Sequence, residues 1–575
     1  MSSRPRQAGA RHQRCGPHSQ AIGGSAILIR RRRAQADGPT QVKSGGYGLL
    51  LKDSVIYGSG RALQKFLVAL LLPLYTTFLT RSDYGILGLV VTVTTFLDVF
   101  VTLGFDFAFS RFYFDDKTLE GHRKVITNTF YVCAVYPAIL IGTCGILLPR
   151  LAPLLLGKEY SSGDWRYFAV ALATLFFTNL NDMPIALFRF EHRPWTFTAY
   201  TLGRIAVQIP LSILLVAVFK WGPMGVLLAN LFTAAAMQIA LLPTYVRKLK
   251  PFPEWALLRS MLVFAVPALF TAISFYWLKL SDRFFLLHYQ GTAEVGLYTV
   301  ANALAQPLYF VLMAFQMAWP QWHFAKLDDP PLHRRMVARS STYFMVLNAL
   351  MLVLLGAFLP LITHLLLNRR FWSVAPVTFV LAISIALYGV YFIFWVGANV
   401  AKQNRMLPVF FLIASAANVG LNFIFVPRYG MWAAAWTTVA GYGLLAATIY
   451  FYSERYYPIP YEWRRLIKLL AATVLSLAAI GAVMWLTGLA TALPLAALAW
   501  RTAATLPALA LFPIALVATG FLTAGERDQL RRVWQRGGGA KPLAAPPPHE
   551  TDVEAAAAVE IQVSIDDAAK EGVPQ

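Results

Sequence analysis

Apolar stretches separated by short polar connections recur from about residue 55 to residue 523. They fall at about 55–79, 84–109, 124–148, 167–188, 196–219, 223–246, 261–287, 293–318, 340–366, 374–399, 408–426, 431–452, 466–487 and 498–523. A helix needs about 20 apolar residues to cross a bilayer core of about 30 Å. The pattern therefore predicts an all-α polytopic membrane protein with about fourteen transmembrane helices. The weak alternation of an outer-membrane barrel is absent. Of the 575 residues, 57% are hydrophobic and 14% are charged. A soluble domain carries about 25% charged residues, so the soluble, coiled-coil and disordered classes are excluded.

The polar ends and loops set the orientation. Residues 1–52 are basic and diluted by Gly, Ser and Gln, which predicts a disordered tail. Ala21–Ile29 is too short and too polar for a signal core, and Arg30–Arg33 follow it instead of preceding it. Residues 524–575 predict a short basic helix and an acidic, Pro/Ala-rich disordered tail. Basic residues concentrate in one set of loops, among them Arg123, Lys124, Arg247, Lys248, Arg334, Arg335, Arg464 and Arg465. The positive-inside rule then puts both termini in the cytoplasm. The net charge of +22 comes with no nucleic-acid module. It is read as topology-setting charge and as contact with anionic membrane lipids, with no nucleic-acid partner. Of the three cysteines, Cys133 and Cys144 are too far apart on one helix to bond to each other. No cysteine or histidine spacing suggests a metal.

An internal repeat is visible. Asp83-Tyr84-Gly85 recurs as Glu294-Val295-Gly296, a shift of 211, and Gly222-Pro-Met-Gly225 recurs as Gly430-Met-Trp-Ala433, a shift of 208. Each pair opens an equivalent helix. The shift spans an even number of helices, so the halves are parallel repeats. The expected division is an N-lobe at 53–250, a C-lobe at 251–455 and two further helices at 456–523. Two lobes with a cleft suit alternating access, with substrate at the interface.

Charge inside a span is expensive and is a functional candidate by default. Arg61 and Lys65 lie at i and i+4 on the first helix, Lys279 and Arg283 at the same spacing on the seventh, and Arg204 on the fifth. Facing a cleft, they would form a cationic path for a phosphate or diphosphate headgroup. Snorkelling to the membrane faces is the other reading. Asp98 and Asp282 are candidates for coupling to H⁺ or Na⁺, and Asp98 could instead pair with Arg61 or Lys65. Asn302 and Gln306, and Asn418 and Asn422, suit either sugar hydroxyls or helix-to-helix hydrogen bonds. No resident cofactor is expected. No Walker A, HExxH or GxSxG motif stands in a usable context, and the short external loops offer no catalytic domain, so no enzyme is expected.

Three segments carry a family resemblance. Ser54-Val-Ile-Tyr57-Gly58 through Pro73-Leu-Tyr75 to Asp83-Tyr84-Gly85 resembles the opening of bacterial polysaccharide flippases. Leu103-Gly104-Phe-Asp106 through Arg111-Phe-Tyr113 is similar to the segment before that family's first cytoplasmic loop. Ser281-Asp282-Arg283, followed by Gly296-Leu-Tyr298, resembles its Asp-Arg signature and sequel. The family is the Wzx-like O-antigen and polysaccharide flippases of the multidrug/oligosaccharidyl-lipid/polysaccharide (MOP) exporter superfamily, whose fold is MATE-like. The resemblance implies a flippase in the bacterial inner membrane. It would carry undecaprenyl-diphosphate-linked oligosaccharide outward, alongside polysaccharide polymerase or assembly proteins. Two rivals stand beside it: a cation-coupled drug antiporter of the same superfamily, and a non-transporting scaffold of a glycan-synthesis complex.

Overall fold

The computed structural model describes residues 71–528, apart from 117, 157–160, 162, 325–326, 328, 488–494 and 524. Both expected tails fall wholly or almost wholly outside these residues, as do Arg61 and Lys65. The described residues are helical throughout their ordered elements. In chain order these are α1 (Leu71–Phe78), α2 (Arg81–Thr102), α3 (Phe105–Asp115), α4 (Leu119–Leu156), α5 (Trp165–Phe190), α6 (Pro194–Ser212), α7 (Gly222–Tyr245) and α8 (Trp255–Leu280). They continue with α9 (Asp282–Gln290), α10 (Thr292–Phe324), α11 (Pro330–Leu366), α12 (Ala375–Val400), α13 (Leu407–Tyr456), α14 (Trp463–Leu486), α15 (Leu495–Ala504) and α16 (Leu506–Ala518).

Among the described residues, 11 helical stretches are long and apolar enough to cross a membrane. The count rises to 12 if the pair Trp255–Val266 and Leu269–Gln290, bent by 42°, is one span. The stretch Asn404–Tyr456 holds two of the expected spans. At 1.5 Å per residue, the 50 residues of α13 are far too long for one crossing. The helix breaks at Gly430, at φ 53° and ψ −134°. The repeat partner of that glycine, Gly222, is also left-handed at φ 56°. Both repeat positions thus use glycine for a backbone turn that a Cβ would strain.

Helix starts follow local chemistry. Thr80 and Asp83 form a reciprocal capping box at α2: the Thr80 side chain accepts from the Asp83 amide at 3.2 Å, and Asp83 accepts from the Thr80 amide at 2.8 Å. The expected single span at 84–109 is interrupted at Leu103 and Gly104, with φ of 50° and 68°. Leu103 is an uncommon non-glycine in the left-handed region. Proline stands at the start of α6 and α7, where no amide partner is lost.

The chain forms two compact units. The first gathers the described residues up to Met317 with Thr363–Tyr391 and Lys402–Tyr452. In it α5 packs on α4 and α7, and α8 packs on α2 and α3. One apolar core there contains Phe105, Phe109, Met183, Phe188, Tyr245 and Met261. The second unit comprises Ala318–Ile362, Phe392–Ala401 and the chain from Ser453. Its core joins Val353 and Ala357 to Leu469 and Ile480 and to Phe512 and Leu516.

The linker between α7 and α8 is tied down. Lys248 pairs with Glu191, Lys250 with Glu120 at 2.7 Å, and Lys124 with Glu254 at 2.9 Å. Asn128 on α4 accepts from the Glu254 amide at 2.8 Å and donates to the Glu254 carbonyl at 3.2 Å. The Tyr131 hydroxyl donates to the Pro251 carbonyl at 2.7 Å.

Candidate functional site

A cavity of about 500 Å³ lies within the first unit, between α8–α9, α10, α12 and α13. Each wall is a helical stripe at i, i+3 or i+4 spacing, which puts the named residues on one face. Phe275, Lys279, Asp282 and Arg283 come from α8–α9, and Tyr298, Asn302, Gln306 and Tyr309 from α10. Leu381, Ser384, Ile385 and Tyr388 come from α12, and Thr438 and Tyr442 from α13.

Two cations therefore share one cavity with a single carboxylate. The Lys279 Nζ lies 5.2 Å from the Tyr309 ring centre and 5.8 Å from that of Phe275. The Arg283 guanidinium lies 5.7 Å from the Tyr298 ring centre. Such contacts satisfy a desolvated cation only in part. Arg283 forms no ion pair with any carboxylate among the described residues. Tyr309 and Tyr388 stack at 6.2 Å and 17°, and Tyr388 meets Tyr442 at 5.5 Å. Phe275, Tyr309 and Tyr442 thus all meet Tyr388, and these rings line part of the cavity.

Behind the cavity, Asp282 anchors a polar network. The Tyr298 hydroxyl donates to its Oδ2 at 2.6 Å, the Thr438 hydroxyl approaches the same oxygen at 2.6 Å, and the Asn422 amide donates to Oδ1 at 2.7 Å. Thr438 has a single proton to divide between Asp282 and the Ala434 carbonyl at 2.8 Å. The network continues from Asn422 to Asn418 Oδ1 at 3.0 Å, which also accepts from Ser281 at 3.0 Å. Thr437 donates to Asn422 Oδ1 at 2.5 Å. Asp282 is 1% exposed, Tyr298 2%, and Asn418 and Asn422 0%. Donors converging on a buried carboxylate offset the cost of its desolvation. The Asn418 Nδ2 is buried with no hydrogen-bond partner.

The expected site residues thus separate. Lys279, Arg283, Asp282, Asn302 and Gln306 meet in one cavity. Asn418 and Asn422 lie behind it and hydrogen-bond helix to helix. Arg204 does not line this cavity. It sits on α6 within electrostatic reach of Asp182 and Tyr200, with its Nε buried and unbonded. Asp98 faces Asp106 and Asp182 on the α2–α3 and α5 side. Its expected partners Arg61 and Lys65 lie outside the described residues. Sequence reasoning missed Tyr298, Thr438 and the aromatic wall. The spacing of Tyr298, Asn302, Gln306 and Tyr309 along one face of α10 was the available signal.

The structure is similar to that of the lipid II flippase MurJ in an inward closed conformation. The TM-score is 0.63 at 13% identity, over 84% of this chain and 100% of that one. It is also similar to an inward-facing multidrug resistance MATE family transporter of the MOP superfamily, with a TM-score of 0.53 at 14% identity, over 68% and 94% of the two chains. The fold is therefore shared with these two proteins, a polytopic α-helical membrane architecture. Residues 50–320 match the family model for polysaccharide biosynthesis proteins. An Lsg locus protein of Haemophilus influenzae is 23% identical over 292 residues, 49% of this chain and 68% of that protein. The family match thus covers a little under half of the chain, and the two structural likenesses show a shared fold.

Proposed function

We propose that this protein moves a polyprenyl-diphosphate-linked glycan across the bacterial inner membrane by alternating access. The observation that carries the reading is the cavity holding Lys279 and Arg283 among aromatic faces, amides and hydroxyls. The cations suit a phosphoryl or other anionic headgroup, and arginine can grip it with two donors. Asn302, Gln306 and Ser384 suit sugar hydroxyls, and the tyrosine faces suit the apolar faces of sugar rings. Arg61 and Lys65 would extend the cationic path, and the polyprenyl tail would remain in lipid. Asp282, with its ring of donors, is the favoured coupling residue for H⁺ or Na⁺. Asp98 is the second candidate. Both termini would be cytoplasmic. A cation antiporter fits less well, because the cavity lining holds two basic side chains against one carboxylate.

The test is leaflet accessibility of a fluorescent polyprenyl-diphosphate oligosaccharide in proteoliposomes. Wild type should expose it to the far leaflet. Lys279→Gln/Arg283→Gln should slow this at least about tenfold, which corresponds to about 1.4 kcal/mol of lost headgroup binding. Full activity in a well-folded double variant would remove the cavity from the mechanism. If wild type were inactive with and without an ion gradient, while a cationic drug was exported, the antiporter reading would replace this one.

A further inference from the structure

Within the second unit, α16 ends in a Schellman motif. Gly520 is left-handed at φ 64°, the Phe521 amide donates to the Leu516 carbonyl at 3.0 Å, and the Gly520 amide donates to the Val517 carbonyl at 3.1 Å. Two basic side chains converge on this end. Lys468 of α14 donates to the Gly520 carbonyl at 3.4 Å, and Arg527 Nε donates to the Leu522 carbonyl at 3.1 Å. A Cβ on Gly520 would meet these two side chains alone among the described residues, Lys468 Nζ at 3.9 Å and Arg527 Nη2 at 4.0 Å. The bare Cα leaves an open hollow with both cations at its rim.

Capping of helix-end carbonyls accounts for one donor of each cation. It leaves the other donors of an ammonium and a five-donor guanidinium. Neither Lys468 nor Arg527 forms an ion pair among the described residues. The buried acid of this unit is already taken: Glu526 accepts from Arg339, Arg465, Tyr343 and the Thr523 amide. Glu462 pairs with Arg465. Each helix also brings an exposed apolar stripe to the hollow. Lys468, Ala471 and Leu475 share one face of α14, and Ile514, Val517 and Gly520 follow at steps of three along α16. Ala471, Leu475, Ile514 and Val517 are exposed, while Leu469 and Ala472 join Phe512 and Leu516 in the core of the unit. Both α14 and the stretch Trp500–Ala518 are long and apolar enough to cross a membrane, so the exposed stripes face acyl chains. The cations stand where both stripes end.

We propose that Lys468 and Arg527 hold the phosphate of an anionic membrane phospholipid over Gly520, with its acyl chains along α14 and α16. A phospholipid has the plan of this surface, a phosphate above apolar chains. The carbonyl end of α16 would repel a phosphate on its own, and the paired cations reverse that sign. A zwitterionic lipid carries its own cation and gains less from the pair. The site is separate from the cavity and does not depend on the transport reading.

The experiment uses the full chain with Cys15, Cys133 and Cys144 replaced by serine and a bimane fluorophore at the exposed position Thr519→Cys, beside the hollow. In phosphatidylcholine vesicles, quenching by phosphatidylglycerol carrying a doxyl group near its head is compared with quenching by doxyl phosphatidylcholine. The labelled parent should favour phosphatidylglycerol by about tenfold. Lys468→Gln/Arg527→Gln should abolish the preference. Lys468→Arg/Arg527→Lys should keep it, which separates lost charge from lost fold. Arg405→Gln/Arg455→Gln removes the same charge at exposed positions elsewhere and should leave the preference intact. No preference in the parent would overturn the proposal. Equal losses in the two glutamine double variants would also overturn it, because they mark diffuse attraction to a basic protein. Loss of quenching on adding inorganic phosphate at matched ionic strength, but not on adding unlabelled phosphatidylglycerol, would assign the cations to a soluble anion and remove the lipid.

Discussion

Removing the Tyr298 hydroxyl tests the network behind the cavity most cleanly. In Tyr298→Phe the ring stays in place under Arg283, and one donor at 2.6 Å from Asp282 Oδ2 disappears. A hydrogen bond to a charged group contributes about 1.5–3 kcal/mol net. Thr438→Val removes the other group at the same oxygen, also at 2.6 Å. Each single variant should therefore lose about 1.5–3 kcal/mol. In the double variant the buried Oδ2 keeps neither of its two partners. The desolvation cost that one remaining donor covered then falls due in full, and the loss should exceed the sum of the singles by about 1 kcal/mol or more. The assay is denaturation in mixed detergent micelles, followed by tryptophan fluorescence, as a double-mutant cycle. The cycle repeated on Asp282→Leu should show no coupling, because the shared acceptor is gone. Additivity within about 0.5 kcal/mol on the wild-type background would refute the reasoning, since sites that share no partner add to about that accuracy.

Three further predictions rest on other parts of the chain. Glu526 is buried, which on its own would raise its pKa, but Tyr343, the Thr523 amide, Arg465 and Arg339 outweigh this and pull it from 4.5 to about 2. A depressed carboxylate stabilises fully above pH 4.5 and loses that contribution as pH falls toward 2. Glu526→Gln should thus lower the melting temperature at pH 7, by the equivalent of about 2 kcal/mol after screening, and much less near pH 3. Equal gaps at both pH values would contradict this. Gly430→Ala should cost about 1–3 kcal/mol, because φ 53° with ψ −134° suits only glycine and the new Cβ would lie 3.0 Å from Glu294 Oε1. A thermal melt identical to wild type would count against the break in α13. Asn128→Ala leaves the Glu254 amide and carbonyl without their side-chain partner. It should cost about 1–3 kcal/mol, and faster proteolysis within residues 246–254 is the readout.

The spans were legible because a bilayer demands length and apolarity together, and both are written locally. The break in α13 was legible too, since Gly430 stood between two expected spans. The break at Leu103 was not, because a leucine in a left-handed conformation has no local signature. At the site, Lys279 and Arg283 were found from charge inside a span, and Asn302 and Gln306 from amides in the middle of one. Tyr298 and Thr438 escaped notice because tyrosine and threonine are common in membrane helices, and only the fold brings them to Asp282. Asn418 and Asn422 had two readings from sequence. Their burial behind the cavity, with four hydrogen bonds linking Ser281, Asp282, Asn418, Asn422 and Thr437, favours the helix-to-helix one. The repeat was visible as two short matches.

The connection between α7 and α8 acts as a splint. Thr127, Asn128 and Tyr131 of α4 hold Lys250, Pro251 and Glu254 by the backbone. The connection is therefore built into the first unit, in which α8 also packs on α2 and α3. Because the anchoring is to peptide groups, the spacing it sets between α7 and α8 depends on the three side chains of α4 more than on the side chains of the connection itself.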